Sequence, residues 1–219
     1  MSESEQSNNQ QQPDPAEQNM DNAVDQGSIT NNWQQPTFWL FLGSVISVWL
    51  DQWSKAWAAS TLYTGNAAAA GGVPVNPAEL QTKVIEVTSW FNYRLVGNKG
   101  AAWGIFKDLP ETMRVPFFVV LSAIALGVLL VVYYKSPGQK LMQAALVLIC
   151  GGAIGNLIDR LQIGYVIDFI DWHIGVHHWP TFNIADVSIS IGVGLMVIDM
   201  IRQMIHEYQV AKEAKTETA

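Results

Sequence analysis

The run from Val115 to Tyr134, VPFFVVLSAIALGVLLVVYY, holds 20 residues without one charged side chain. A helix rising 1.5 Å per residue crosses a hydrocarbon core of about 30 Å in that length, so the stretch predicts a membrane helix. Its neighbours extend the pattern. The six-residue link KSPGQK places Lys135 and Lys140 around Pro137 and Gly138, a turn that returns the chain antiparallel. Leu141 to Ile158 then reads as another span, closing on Asp159 and Arg160, with Gly151, Gly152 and Gly155 offering a small-residue face for close helix contact. A first span is expected from Thr37 to about Ser60 and a last one from near Asn183 to about Tyr208.

Between the first two spans, Lys83 to Phe106 is rich in β-branched and aromatic residues with partial alternation, which predicts two or three short strands. The fold class expected is therefore an all-α polytopic membrane protein, with four transmembrane helices and a small extracytoplasmic β-sheet between helices one and two. Three parts are expected: an acidic Gln/Asn-rich tail over 1–35, a membrane domain over 36–208 with its loop and sheet at 61–111, and a polar tail over 209–219. The first of these lacks the apolar residues to fold and lacks the basic start of a signal peptide.

Against this apolar background, Asp159, Asp168, Asp171 and Asp186 crowd into one stretch, GNLIDRLQIGYVIDFIDWHIGVHHWPTFNIAD. A charged side chain at membrane depth costs roughly 2.5–3.5 kcal/mol even on lenient scales, so several of them point to a wet pocket with a task. Asn156 and Asn183 each precede an aspartate by three residues, which puts each pair on one helix face, and an amide can orient a carboxylate without adding charge. Asp51 and Lys55, four apart on one face of the first helix, fit a self-neutralising pair at the membrane interface, a level that Trp49, Trp53 and Trp57 also mark. Asn98, Gly100, Ala101 and Ala102 would let a peptide approach closely. Taken alone, the spacing does not choose among the aspartates, and Asp159 with Arg160 also fits a structural ion pair. Ion or proton transport and a purely structural membrane role are the competing readings.

Five ordered blocks carry a resemblance: DQWSK (Asp51 to Lys55), NKGAAWG (Asn98 to Gly104), GNLIDR (Gly155 to Arg160), VIDF (Val166 to Phe169) and FNIAD (Phe182 to Asp186). In these the chain resembles the lipoprotein signal peptidases, intramembrane aspartic peptidases of bacteria, over about residues 36–206. The resemblance implies Asp168 and Asp186 as the catalytic pair, with Asp51, Lys55, Asn98, Gly100, Asn156, Asp159, Arg160 and Asn183 supporting them or binding substrate. It also implies the substrate, a diacylglyceryl-modified prolipoprotein cut before its lipidated cysteine. The setting implied is the inner membrane, with both termini cytoplasmic and the site near the outer face.

The remaining expectations are absences and partners. A net charge of −7 argues against nucleic acid, and the lone Cys150 lies in an apolar run away from all four histidines, which suits a buried small hydrophobe. Asp171, His173 and His177 have ligand chemistry, but Gly175 and Pro180 interrupt any helix that would align them, so no metal is expected. Aspartic hydrolysis needs no cofactor. The partners expected are the substrate and membrane lipids, with the chain a monomer.

Overall fold

The computed structural model describes residues 36–65, 80, 82–100 and 110–217. In chain order these form α1 (Pro36–Leu62), β1 (Val84–Thr88), β2 (Phe91–Asn98), α2 (Glu111–Lys135), α3 (Lys140–Ile163), β3 (Val166–Ile174), β4 (His177–His178) and α4 (Ile184–Glu217). The unit that runs from Trp39 onward carries everything described below.

Among the described residues, three helices are long and apolar enough to cross a membrane, over Thr112–Lys135, Lys140–Ile163 and Ile184–Thr216. Their outward faces are apolar and exposed, as with Val120, Ile124 and Val128 on α2, which is the surface that lipid requires. α1 is not among the three, because Asp51, Gln52, Ser54 and Lys55 dilute its apolar character. It nevertheless runs along the others: Ser44 donates to the Val147 carbonyl at 3.3 Å and Ser47 to Ser188 at 3.3 Å.

Small residues let these helices meet. A Cβ added at Gly152 would fall 2.4 Å from the Ala185 carbonyl oxygen of α4, and one at Gly155 would fall 2.5 Å from the Asp51 carboxylate of α1. The Gly151–Gly155 face expected for close contact thus receives a helix on each side.

The strands form one antiparallel sheet in the order β1-β2-β3-β4. This corrects the sequence expectation, which placed the sheet wholly between the first two membrane helices and read 161–182 as a link. Half of the strands come from that link. β3, VIDFIDWHI, is buried along most of its length, so it lacks the alternation that marks a half-exposed strand. The register sets Val96 opposite Asp168, and Asn98 opposite Val166. Ala58, Ala59 and Leu62 at the end of α1 pack with Leu95, Ile167 and Phe169 of the sheet, fixing it to the helices.

Two helix ends also differ from expectation. α3 continues past Asp159 and Arg160 to Ile163 and closes on Gly164, whose φ of 80° is the left-handed stop that glycine accommodates. α4 continues to Glu217 because KEAKTE consists mostly of strong helix formers, and on its exposed face Asp199 accepts from Gln203 at 2.6 Å. The tail over 1–35, most of the loop over 61–82, and Ala101 to Gly104 lie outside the described residues.

Candidate active site

The centre is assembled where the end of α3, the start of α4, β3 and the polar turn of α1 converge. Lys55 is 2% exposed, 2.7 Å from Asp51 and 2.9 Å from Asp159, and donates at 3.0 Å to the Asn156 side-chain oxygen. Asp51 and Asp159 are buried as well, so this is an organised interior cluster and not an interfacial pair. Each carboxylate also holds backbone. Asp51 accepts from the Ala185 N–H at 2.8 Å, an otherwise unmatched donor in the first turn of α4, and Asp159 accepts from the Ile167 N–H at 3.0 Å. One cation therefore ties α1 to α3, and its two anions tie both to α4 and β3.

The asparagines carry this order to the remaining carboxylates. Because Lys55 only donates, Asn156 must turn its oxygen toward it, which aims the Asn156 amide at Asp186, 2.8 Å away. Asn183 is fully buried; its amide reaches Asp168 at 2.7 Å, the Ile167 carbonyl at 3.2 Å and the Asn156 oxygen at 3.1 Å. Asn183 and Asp186 also close a reciprocal cap. The Asp186 N–H donates to the Asn183 side chain at 3.0 Å, and the Asn183 N–H donates to Asp186 at 3.2 Å. The second NxxD spacing is thus a helix start that doubles as the mount for a carboxylate.

On the other side, Asn98 at the end of β2 donates to Asp168 at 3.0 Å and accepts from the Gly100 N–H at 3.0 Å. Arg160 donates to the carbonyls of Asn156 and Gly100 at 3.1 and 3.2 Å and lies 4.6 Å over the Phe118 ring, so it joins α2, α3 and the turn after β2. It forms no pair with Asp159, whose partner is Lys55. All ten site residues expected from the sequence belong to this one hydrogen-bonded network.

Asp168 is 1% exposed, whereas Asp186 is half-buried. Burial pushes the Asp168 carboxyl up to about 8, and the nearby Asp186 charge raises it further, outweighing the hydrogen bonds from Asn98 and Asn183 and the charge of Lys55. Two carboxyl groups on one amide scaffold, one of them holding its proton at neutral pH, can exchange protons with a bound molecule. Asp171 is set apart; it accepts from His178 at 2.9 Å, on the hairpin formed by β3 and β4. Among the described residues no group of three or more His, Cys, Asp or Glu is arranged to hold a metal ion.

Sequence reading missed Gln52. Its amide donates to Asp159 at 2.9 Å, to the Gly155 carbonyl at 3.1 Å and to Asp51 at 3.2 Å, bracing the Lys55 cluster between α1 and α3. It lies inside the DQWSK block, and the signal was its place beside Asp51 at the one polar turn of an apolar helix.

Fold and site together define a membrane-helix protein with a buried carboxylate centre at one end of its helices. The family described as signal peptidase (SPase) II matches residues 44–202. The lipoprotein signal peptidase of Aquifex aeolicus (strain VF5) is 37% identical over 167 residues, covering 76% of this chain and 89% of the relative. That of Geobacter sulfurreducens (strain ATCC 51573 / DSM 12127 / PCA) is 37% identical over 171 residues, covering 77% and 96%. Two solved structures described as bacterial membrane enzymes, at 2.3 and 1.9 Å resolution, superpose with TM-scores of 0.59 and 0.58 at 32% and 34% identity. They cover 75% and 74% of this chain and 88% and 91% of their own. The chain belongs to the signal peptidase II family, which makes it a bacterial membrane peptidase.

Proposed function

We propose that the chain is an aspartic endopeptidase that cuts diacylglyceryl-modified prolipoproteins before the lipidated cysteine, with Asp168 and Asp186 as its catalytic pair. The observation that carries this is the shared scaffold of Asn156 and Asn183, which holds the two carboxyl groups from separate elements beside one another. α1 serves as the fourth membrane helix, its polar turn turned inward against α3 and α4. Both termini face the cytoplasm, as the Lys135 and Lys140 turn favours, which puts the carboxylates at the outer face.

Asp168, raised to about 8, enters the cycle protonated and hydrogen-bonds the scissile carbonyl oxygen. Asp186, the more open of the two, takes a proton from water as the water oxygen attacks the carbonyl carbon. The C–N bond then breaks as a proton passes to the leaving amine, and the pair returns to its starting state. Asn98 and Arg160, bound to the Gly100 turn, form the wall along which the peptide lies, while its acyl chains stay between helices in the bilayer. A site at this level needs no extraction of the lipid.

The test is cleavage of a diacylglyceryl prolipoprotein by the purified protein in detergent. Asp168→Asn and Asp186→Asn each remove cleavage while the thermal unfolding transition persists. Cleavage retained in either variant removes the assigned pair, and proton flux across vesicles without cleavage replaces the peptidase reading with a transport one. In the wild type, kcat/KM falls as pH rises through about 8, where Asp168 loses its proton.

A further inference from the structure

From Trp172 to Phe182 the chain contains no Asp, Glu, Lys or Arg, yet much of it faces outward. The β3–β4 hairpin turns at Gly175, whose φ of 58° suits glycine, and its tip presents Ile174 and Val176 at 83% and 87% exposure. Behind the tip, Trp172 and Trp179 are joined by the Trp179 N–H donating to the Trp172 carbonyl at 2.7 Å. With Trp90 they wall an open cleft of about 620 Å³. Two exposed branched aliphatics and three exposed tryptophans, without a charge among them, suit the boundary between headgroups and acyl chains better than open water.

The hairpin's height follows from its contacts. The Trp172 ring meets Phe182 edge-on at 5.1 Å, and Phe182 stands two residues before Ile184, where an apolar span begins. The His173 N–H donates to the Trp90 carbonyl at 3.0 Å, so Trp90 shares that level. From Trp90 a chain of ring contacts leads through Phe91 (6.1 Å) and Tyr93 (4.8 Å) to Trp57 of α1 (5.0 Å). Trp57 and Trp53 are exposed on α1, so one aromatic band continues from a helix surface to the hairpin.

We propose that the β3–β4 hairpin is a membrane anchor, with Ile174 and Val176 dipping into the acyl boundary of the leaflet at the active-site end and its tryptophans lying among the headgroups. The occupant of the cleft mouth and tip is phospholipid. This interaction surface is independent of the peptidase reading. It bears on that reading, because β3 carries Asp168 six residues before Ile174, about 20 Å at 3.3 Å per residue. A tip held at fixed depth holds the strand that bears the carboxyl.

The experiment uses the full chain in phosphatidylcholine vesicles, with Cys150→Ala to leave one reactive thiol. An environment-sensitive fluorophore is placed at Val176→Cys, at Ile174→Cys and, for reference, at Glu86→Cys on exposed β1. Expected are emission shifted to shorter wavelength at both tip positions relative to Glu86, and quenching there by lipids brominated high on the acyl chain. Tip labels as water-like as the Glu86 label overturn the anchor. Tip labels shielded from water but indifferent to brominated lipid place protein, a second copy of this chain, on the hairpin and overturn it equally.

Discussion

Lys55 is the residue on which the centre's hydrogen-bond directions depend, since it has no acceptor and three of its contacts are oxygens of Asp51, Asp159 and Asn156. Lys55→Met strands two buried carboxylates, at a cost of about 3–5 kcal/mol on the scale of broken buried pairs. Thermal unfolding in detergent should show the drop, and Asp51→Asn added to that variant should recover part of it. Asp168 gives a pH signature of stability. Its folded value of about 8 lies above the ordinary 3.8, so its contribution is fully present below the ordinary value and is lost as pH climbs through about 8. Asp168→Asn lacks that titration, and its melting temperature relative to wild type should rise between about pH 5 and about pH 9. An unchanged difference would mean that Asp168 is ionised throughout. At this scale nearly all of the candidate site's hydrogen-bonded network was legible, because aspartates, asparagines and a lysine in apolar surroundings are conspicuous for their cost. Gln52 was not, since an uncharged amide at the end of a span draws no attention until its three acceptors are seen.

Among elements, α2, α3 and α4 were legible from their apolar length, whereas α1 is diluted by its polar turn and β3 was not legible at all. A strand buried on both faces and carrying two aspartates matches neither a helical nor an alternating pattern, and only its pairing with β2 and β4 reveals it. The same burial explains why Asp168 and Asp159 looked equivalent in sequence: one lies on the strand, and the other anchors that strand's Ile167 N–H from α3. Helix contact makes a separate prediction. Gly152→Ala drives a methyl group into the Ala185 backbone and should cost about 1–3 kcal/mol, while Gly127→Ala, with nothing within 4 Å, should leave the transition where it is. Equal melting temperatures for the two variants would show that α3 and α4 pack less closely than 2.4 Å from that position to the Ala185 carbonyl implies.

For the whole molecule, α4 is 34 residues long, about 50 Å at 1.5 Å per residue, and exceeds a hydrocarbon core of about 30 Å. From Ile201 to Thr216 every residue is exposed, so ending the chain after His206 should leave both the melting temperature and cleavage unchanged. A loss of cleavage would assign the projecting turns a role in substrate delivery. The arrangement of the centre also has a consequence for how the chain is made. Asp51 and Lys55 leave the ribosome early, whereas Ala185, whose N–H meets Asp51, and Asp186 follow more than 130 residues later. The polar centre therefore cannot close until α4 has been made and has met α1 and α3, so Asp51 and Lys55 must cross into the bilayer before the N–H that completes their cluster exists.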